Sequence, residues 1–155
     1  EKLTRYLISL SGEALSQKES EVLTNILDSS RDLERIGDHA EALINLNDYI
    51  QRKNVQFSNS ALEELEDIYR QTSEFVKDAL ESVENNDLEM AESLIERHEA
   101  INKMERVLRK THIKRLNNGE CSTQAGVNFI DIISHYTRVS DHAMNLAEKV
   151  LAEQI

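Results

Sequence analysis

A chain of 155 residues with no proline and only four glycines has few places to turn. Strand-rich and loop-rich domains reverse direction every few residues and draw on Gly and Pro to do it. Long helices are therefore the expectation, and nothing in the sequence alternates with period two for long enough to suggest a strand. The few breakers divide the chain into five helical segments. The first runs from about Glu1 to Leu10 and stops near Ser11-Gly12, with Gly12 as its C-cap. The second runs from about Ser16 to Arg52 and opens with Ser16 and Glu19 at capping-box spacing. The third covers about Ser58 to Asn85, the fourth about Asp87 to Leu116, and the fifth runs from Ser122 or Thr123 to near the end. Leu3, Leu7 and Leu10 repeat at helical spacing from a start without Met, so they read as the tail of a helix that begins upstream. The expected object is a piece of a longer protein.

Charge narrows the function classes. With 18 Lys+Arg against 29 Asp+Glu the net charge is −11, and a nucleic-acid partner is not expected, because such affinity rests on neutralising phosphates. The basic cluster Arg106, Arg109, Lys110, Lys114 and Arg115 closes the fourth segment, where it suits the negative end of a helix dipole. No apolar run approaches the ~20 residues that cross a bilayer, so no transmembrane segment is expected here. The lone Cys121 excludes an internal disulfide and fits a reducing compartment. It stands at a helix N-terminus with no evident His or Asn partner, and reads as a small residue at a turn rather than a nucleophile. No Gly-rich loop leads into a helix to cradle phosphates. No histidine follows a Glu by three residues, which rules out a ferritin-like di-iron set. Nothing marks the chain as an enzyme.

The chain also repeats itself. An offset of 103 lays Asn25 on Asn128, Asp28 on Asp131, Arg35 on Arg138, Asp38-His39-Ala40 on Asp141-His142-Ala143, and Leu43 on Leu146. The second segment is thus a copy of the fifth, and the first a shortened copy of the fourth. This gives one domain over 1–155, made of a truncated repeat over 1–54 and a second repeat over 57–155.

Successive helical residues turn by about 100°, which gives each side chain a bearing. In the second segment Val22, Ile26, Leu33, Ile36, Ala40 and Leu43 share one side and are expected in the core. In the fifth, Phe129, Ile132, Tyr136, Val139, Ala143, Leu146 and Val150 do the same. Almost opposite lie Glu34, Asp38 and Glu41, matched in the second copy by Thr137, Asp141 and Met144. Glu34 and Asp38, one turn apart, could hold one cation or bridge two, given further ligands; a solvated acidic face is the competing reading. A third stripe flanks the core: Asp28, Asp32, Arg35 and His39 in one copy, Asp131, His135, Arg138 and His142 in the other. Those histidines and arginines are expected to bond carboxylates on the next helix and fix the packing, rather than to bind metal with Asp28 and Asp131.

The run Asp32-Leu33-Glu34-Arg35-Ile36-Gly37-Asp38-His39-Ala40-Glu41 closely resembles the Glu(or Asp)-x-x-x-Asp hallmark of PhoU-like domains, and Tyr136 to Leu146 resembles the motif of their second repeat. The stretch from His112 through Gly119-Glu120-Cys121 to Ile133 is similar to PhoU-like domains fused to sodium/phosphate cotransporters. The resemblance implies an all-α fold of two tandem three-helix bundles of long antiparallel helices, here without the first helix of the first repeat. It implies a non-catalytic cytoplasmic regulator, tethered to the inner face of the membrane through the membrane portion of a phosphate transporter, and able to form a homodimer. A stand-alone metal-binding bundle is the second expectation. The resemblance further implies a divalent or trivalent metal such as iron, zinc or magnesium, held by Glu34 and Asp38 in the first motif and by Asp141 in the second. Thr137 replaces a carboxylate in that second motif, so metal there is expected to be weak or absent.

Overall fold

The computed structural model describes residues 15–152, together with Arg5, Tyr6, Ile8 and Ser9. Leu3, Leu7, Leu10 and the expected stop at Gly12 lie outside the described residues. The other four segments are helices close to their expected bounds: α1 Gln17–Lys53, α2 Asn59–Asn85, α3 Leu88–Asn117 and α4 Thr123–Leu151. No strand occurs among the described residues. The protein is all-α.

Local chemistry sets the ends. The Ser16 hydroxyl accepts from the Glu19 N–H, and the Glu19 carboxylate accepts the Ser16 N–H at 2.8 Å, which completes the capping box. Ser58, Asp87 and Ser122 cap the other three helices by accepting from Ala61, Met90 and Ala125 N–H. Asn54 and Asn86 end α1 and α2 in the left-handed conformation, at φ 50° and 49°. Gly119 turns the chain after α3 at φ 71°, a conformation that a residue with a Cβ adopts only with strain.

Helices α2, α3 and α4 pack on one another as a three-helix bundle, and α1 lies against α4 alone among the described helices. One end of the bundle core holds Phe75 and Ala79 of α2, Leu94 and Ile101 of α3, and Ala143, Ala147 and Val150 of α4. The other holds Ala61, Ile68, Leu108, Phe129 and Ile133. The expected α4 stripe is buried at Phe129, Val139, Ala143, Leu146 and Val150, and half-buried at Ile132 and Tyr136.

The expected α1 stripe is not core. Val22, Ile26 and Leu33 are 44%, 37% and 48% exposed, Ala40 is exposed, and only Ile36 and Leu43 are half-buried. At the repeat-equivalent positions of α4, residues such as Ala125, Phe129 and Ala143 lie under α2 and α3. Among the described residues α1 has no such cover, and it meets α4 on the neighbouring polar stripe instead. Its buried residue is Ile50.

Candidate metal face and the interface of the two motif helices

The two motif helices meet through polar groups. Asp32 of α1 is the node: its Oδ1 accepts from His142 Nδ1 at 3.0 Å and Asn145 Nδ2 at 2.9 Å, and its Oδ2 faces Lys149 Nζ at 3.5 Å. Burial pushes the Asp32 carboxyl up, but the bonds from Asn145, His142 and Lys149 outweigh it and hold the group below its ordinary value. About two turns further along α1, His39 Nδ1 lies 3.0 Å from His135 Nδ1, and the His39 ring stacks on His142 at 5.8 Å between centroids. Partial burial lowers the His39 pKa, the neighbouring His135 and His142 lower it further, and Asp38 opposes them. The protonated form of His39 is thus disfavoured relative to a free imidazole.

These two contacts are one contact seen twice. Under the offset of 103, Asp32 corresponds to His135 and His39 to His142. The pairs Asp32–His142 and His135–His39 are therefore related by an approximate two-fold between the helices. One retains carboxylate to imidazole, and the other is imidazole to imidazole. The expectation that these histidines bond carboxylates across helices holds for His142 and fails for His39, because its partner position carries His135. The arginines also depart from it: Arg35 reaches Asp38 at 3.3 Å and Arg138 reaches Asp141 at 3.4 Å, each on its own helix. Asp131 is exposed.

The candidate ligands fall into two environments. Glu34 and Asp38 stand on the solvent side of α1, and the Asp38 side chain is 53% exposed. A Cβ added at Gly37, between them in sequence, would meet nothing within 4 Å, so this face is open. Asp141 is engaged: His98 Nε2 of α3 lies 3.0 Å from its Oδ1, and Asn102 Nδ2 lies 3.2 Å from the same ring nitrogen. The Thr137 hydroxyl donates to the Ile133 carbonyl at 3.0 Å, back along its own helix. Among the described residues no three His, Cys, Asp or Glu side chains converge as a metal-holding set. The oxygen donors of Glu34 and Asp38 suit a hard or borderline cation that takes its remaining ligands from solvent or a partner. Thr137 and the engaged Asp141 suit one poorly.

Cross-helix partners are what periodicity misses. His98 was not marked by any spacing to Asp141. Cys121 does have a histidine near it: Sγ lies 3.8 Å from Nε2 of His112, which is buried and stacked on Phe129 at 4.1 Å. Burial, and secondarily Arg115, lowers the His112 pKa, with Glu64 opposing. Two members of the basic cluster have structural partners beyond the helix dipole. Arg115 pairs with Glu64 of α2, and Arg109 donates to Glu105 and, at 2.9 Å, to Ser134.

The fold and the paired motif helices define a class: an all-helical repeat domain whose two copies meet through their motif helices. Sequence comparison supplies the family. The profile of the PhoU domain matches residues 65–150, and the chain belongs to the PhoU family. The phosphate-specific transport system accessory protein PhoU homolog 1 of Thermotoga maritima is 31% identical over 134 residues, which cover 86% of this chain and 57% of that protein. The chain thus spans a little over half the length of this curated relative. Two solved structures share the fold. The phosphate transport system regulatory protein PhoU from Streptococcus pneumoniae superposes with a TM-score of 0.80 at 21% identity, over 97% of this chain and 69% of that one. PhoU from Pseudomonas aeruginosa gives 0.87 at 19% identity, over 99% and 76%.

Proposed function

We propose that this chain is a non-catalytic regulatory domain of a phosphate transport system. Membership of the PhoU family carries the reading, and the name of the Thermotoga relative, an accessory protein of phosphate-specific transport, supports it. In the finer form of the proposal the domain resembles the PhoU-like part of a sodium/phosphate cotransporter. It would sit at the cytoplasmic face, tethered through the transporter's membrane portion, and damp uptake by helix-face contacts. Its two repeats divide between Asn54 and Phe57, and the open face of Glu34 and Asp38 is where a divalent or trivalent cation would bind. Asp141, engaged with His98, contributes little to metal binding.

Phosphate uptake by cells carrying the full parent reading frame tests this. Deleting residues 15–152 is expected to raise uptake at high external phosphate. Unchanged uptake overturns the reading. Element analysis of protein purified without chelator or affinity nickel tests the metal. Metal lost in Asp38→Ala and kept in Asp141→Ala supports the first motif; metal absent from the wild-type chain removes it. The exposure of Glu34 and Asp38 also favours a second reading, a stand-alone metal-binding bundle. A parent reading frame without membrane segments would select that one.

A further inference from the structure

His39 and His135 stand on different helices, 96 residues apart in sequence, and turn the same kind of nitrogen to each other, Nδ1 to Nδ1 at 3.0 Å. Both residues are half-buried, and Nε2 of each ring takes no hydrogen bond among the described residues. The repeat-related contact pairs a carboxylate with an imidazole; here two imidazoles meet, with no carboxylate to fix either ring. As neutral rings they can share a single N–H between the two nitrogens. With both protons at Nε2 instead, two Nδ1 lone pairs face each other, and a cation relieves their repulsion. The spacing is that of two ligands on one metal. At the ~2.0–2.1 Å of a metal–imidazole bond, two nitrogens lie about 2.9 Å apart at a right angle and about 3.4 Å apart at the tetrahedral angle. The 3.0 Å between the rings falls within that range.

We propose that His39 and His135 form a two-imidazole site for a divalent transition metal of the zinc, nickel or copper class, which joins α1 to α4. Neutral imidazole suits these metals, whereas the carboxylates of Glu34 and Asp38 suit harder cations. The site thus differs from the open face in both its ligands and its metal. Asp38 is near enough to His39 to favour positive charge there, and Arg138 opposes it. His142 adds no third nitrogen at this spacing: its ring stacks on His39 at 5.8 Å between centroids, and its Nδ1 is taken by Asp32. Solvent completes the coordination, so the metal is exchangeable. Because the ligands come from two helices, the site exists only while α1 is seated on α4, and metal stabilises that seating by mass action. The proposal rests on this contact and not on the assignment to phosphate transport.

Titration of the metal-stripped 155-residue chain with zinc chloride tests it, read by nitrogen NMR of the histidine rings and by amide exchange, with far-UV circular dichroism as the check on folding. Zinc is expected to shift Nδ1 of His39 and of His135 together, and at about 0.1 mM to slow amide exchange in α1 at least about tenfold. His39→Gln and His135→Gln, which keep a polar side chain at the contact, are each expected to weaken that binding at least about tenfold and to abolish the slowing. Asp38→Ala is expected to keep both the shifts and the slowing, which separates this site from the carboxylate face. If Nδ1 of neither ring shifts in the wild-type chain, the contact is an imidazole–imidazole hydrogen bond alone and the proposal is overturned. Slowing that survives both glutamine variants, or that is lost in Asp38→Ala and kept in His135→Gln, overturns it too.

Discussion

Helices α1 and α4 are two copies of one sequence pattern in two surroundings. In α4, twelve residues are buried, because α2 and α3 cover one side and α1 another. In α1 none of the twelve equivalent positions is buried, seven being exposed and five half-buried, and Ile50 is the buried residue, because α4 is its neighbour among the described helices. The difference teaches that periodicity gives a side chain its direction, while the neighbours decide whether that direction is inside. It also separates the two motifs. The carboxylates of the first copy stand open to solvent, and the remaining carboxylate of the second is drawn into a bond with His98.

The largest effect should come from breaking the buried copy. Phe129→Ala removes a ring with no exposure that stacks on His112, and is expected to cost about 3–5 kcal/mol. Its repeat equivalent Ile26→Ala, at 37% exposure, should cost under about 1 kcal/mol. Urea denaturation of both variants checks the contrast, and equal costs would mean that α1 is covered as fully as α4. Next is the node between the copies. Asp32→Ala strips the acceptor from His142, Asn145 and Lys149 and should cost about 1–3 kcal/mol, seen as a lower denaturation midpoint with the loss centred on α1.

A smaller change sharpens the comparison by restoring symmetry. His135→Asp gives His39 the carboxylate that His142 already has, and should add about 0.5–1.5 kcal/mol. It should also reverse a pH dependence. The folded-state pKa of His39 is lowered, so as pH falls through the unfolded value near 6.5 the unfolded chain gains a proton that the folded chain does not. Stability of the wild-type chain is therefore lost on going from pH 7.5 towards pH 5. The buried His112, lowered in the same direction, adds to that loss. In His135→Asp the part due to His39 should vanish or change sign, with its imidazole titrating at a higher pH by NMR. The smallest effect is on the backbone. Gly37→Ala meets open space in the middle of α1 and should stabilise by about 0.5–1 kcal/mol. Gly119→Ala, at φ 71°, should destabilise by about 1 kcal/mol. Thermal melts of the two check opposite signs.

Much of the fold is legible in the sequence because it is local. Ser16 with Glu19, and Ser58, Asp87 and Ser122 mark the helix starts through bonds made within three residues, and Asn54 and Asn86 stop α1 and α2 in conformations that Asn tolerates. The repeat is legible too, since Asp38-His39-Ala40 and Asp141-His142-Ala143 survive in both copies. The candidate site is only partly legible. A wheel places Glu34 and Asp38 on one side and His39 beside the core, but says nothing of which helix faces it. That His39 meets His135, that His98 reaches Asp141, and that His112 lies beside Cys121 are facts about pairs of helices. The exposure of Val22, Ile26 and Leu33 is likewise a fact about α1's neighbours.

Native-state hydrogen exchange on the 155-residue chain measures the difference between the two copies most directly. If neighbours set that difference, amides in the middle of α4 exchange only through global unfolding, while those of α1 open at a distinctly lower free energy, and Asp32→Ala lowers α1 further without moving α4. Equal protection of the two helices, or a uniform loss in Asp32→Ala, would contradict the account.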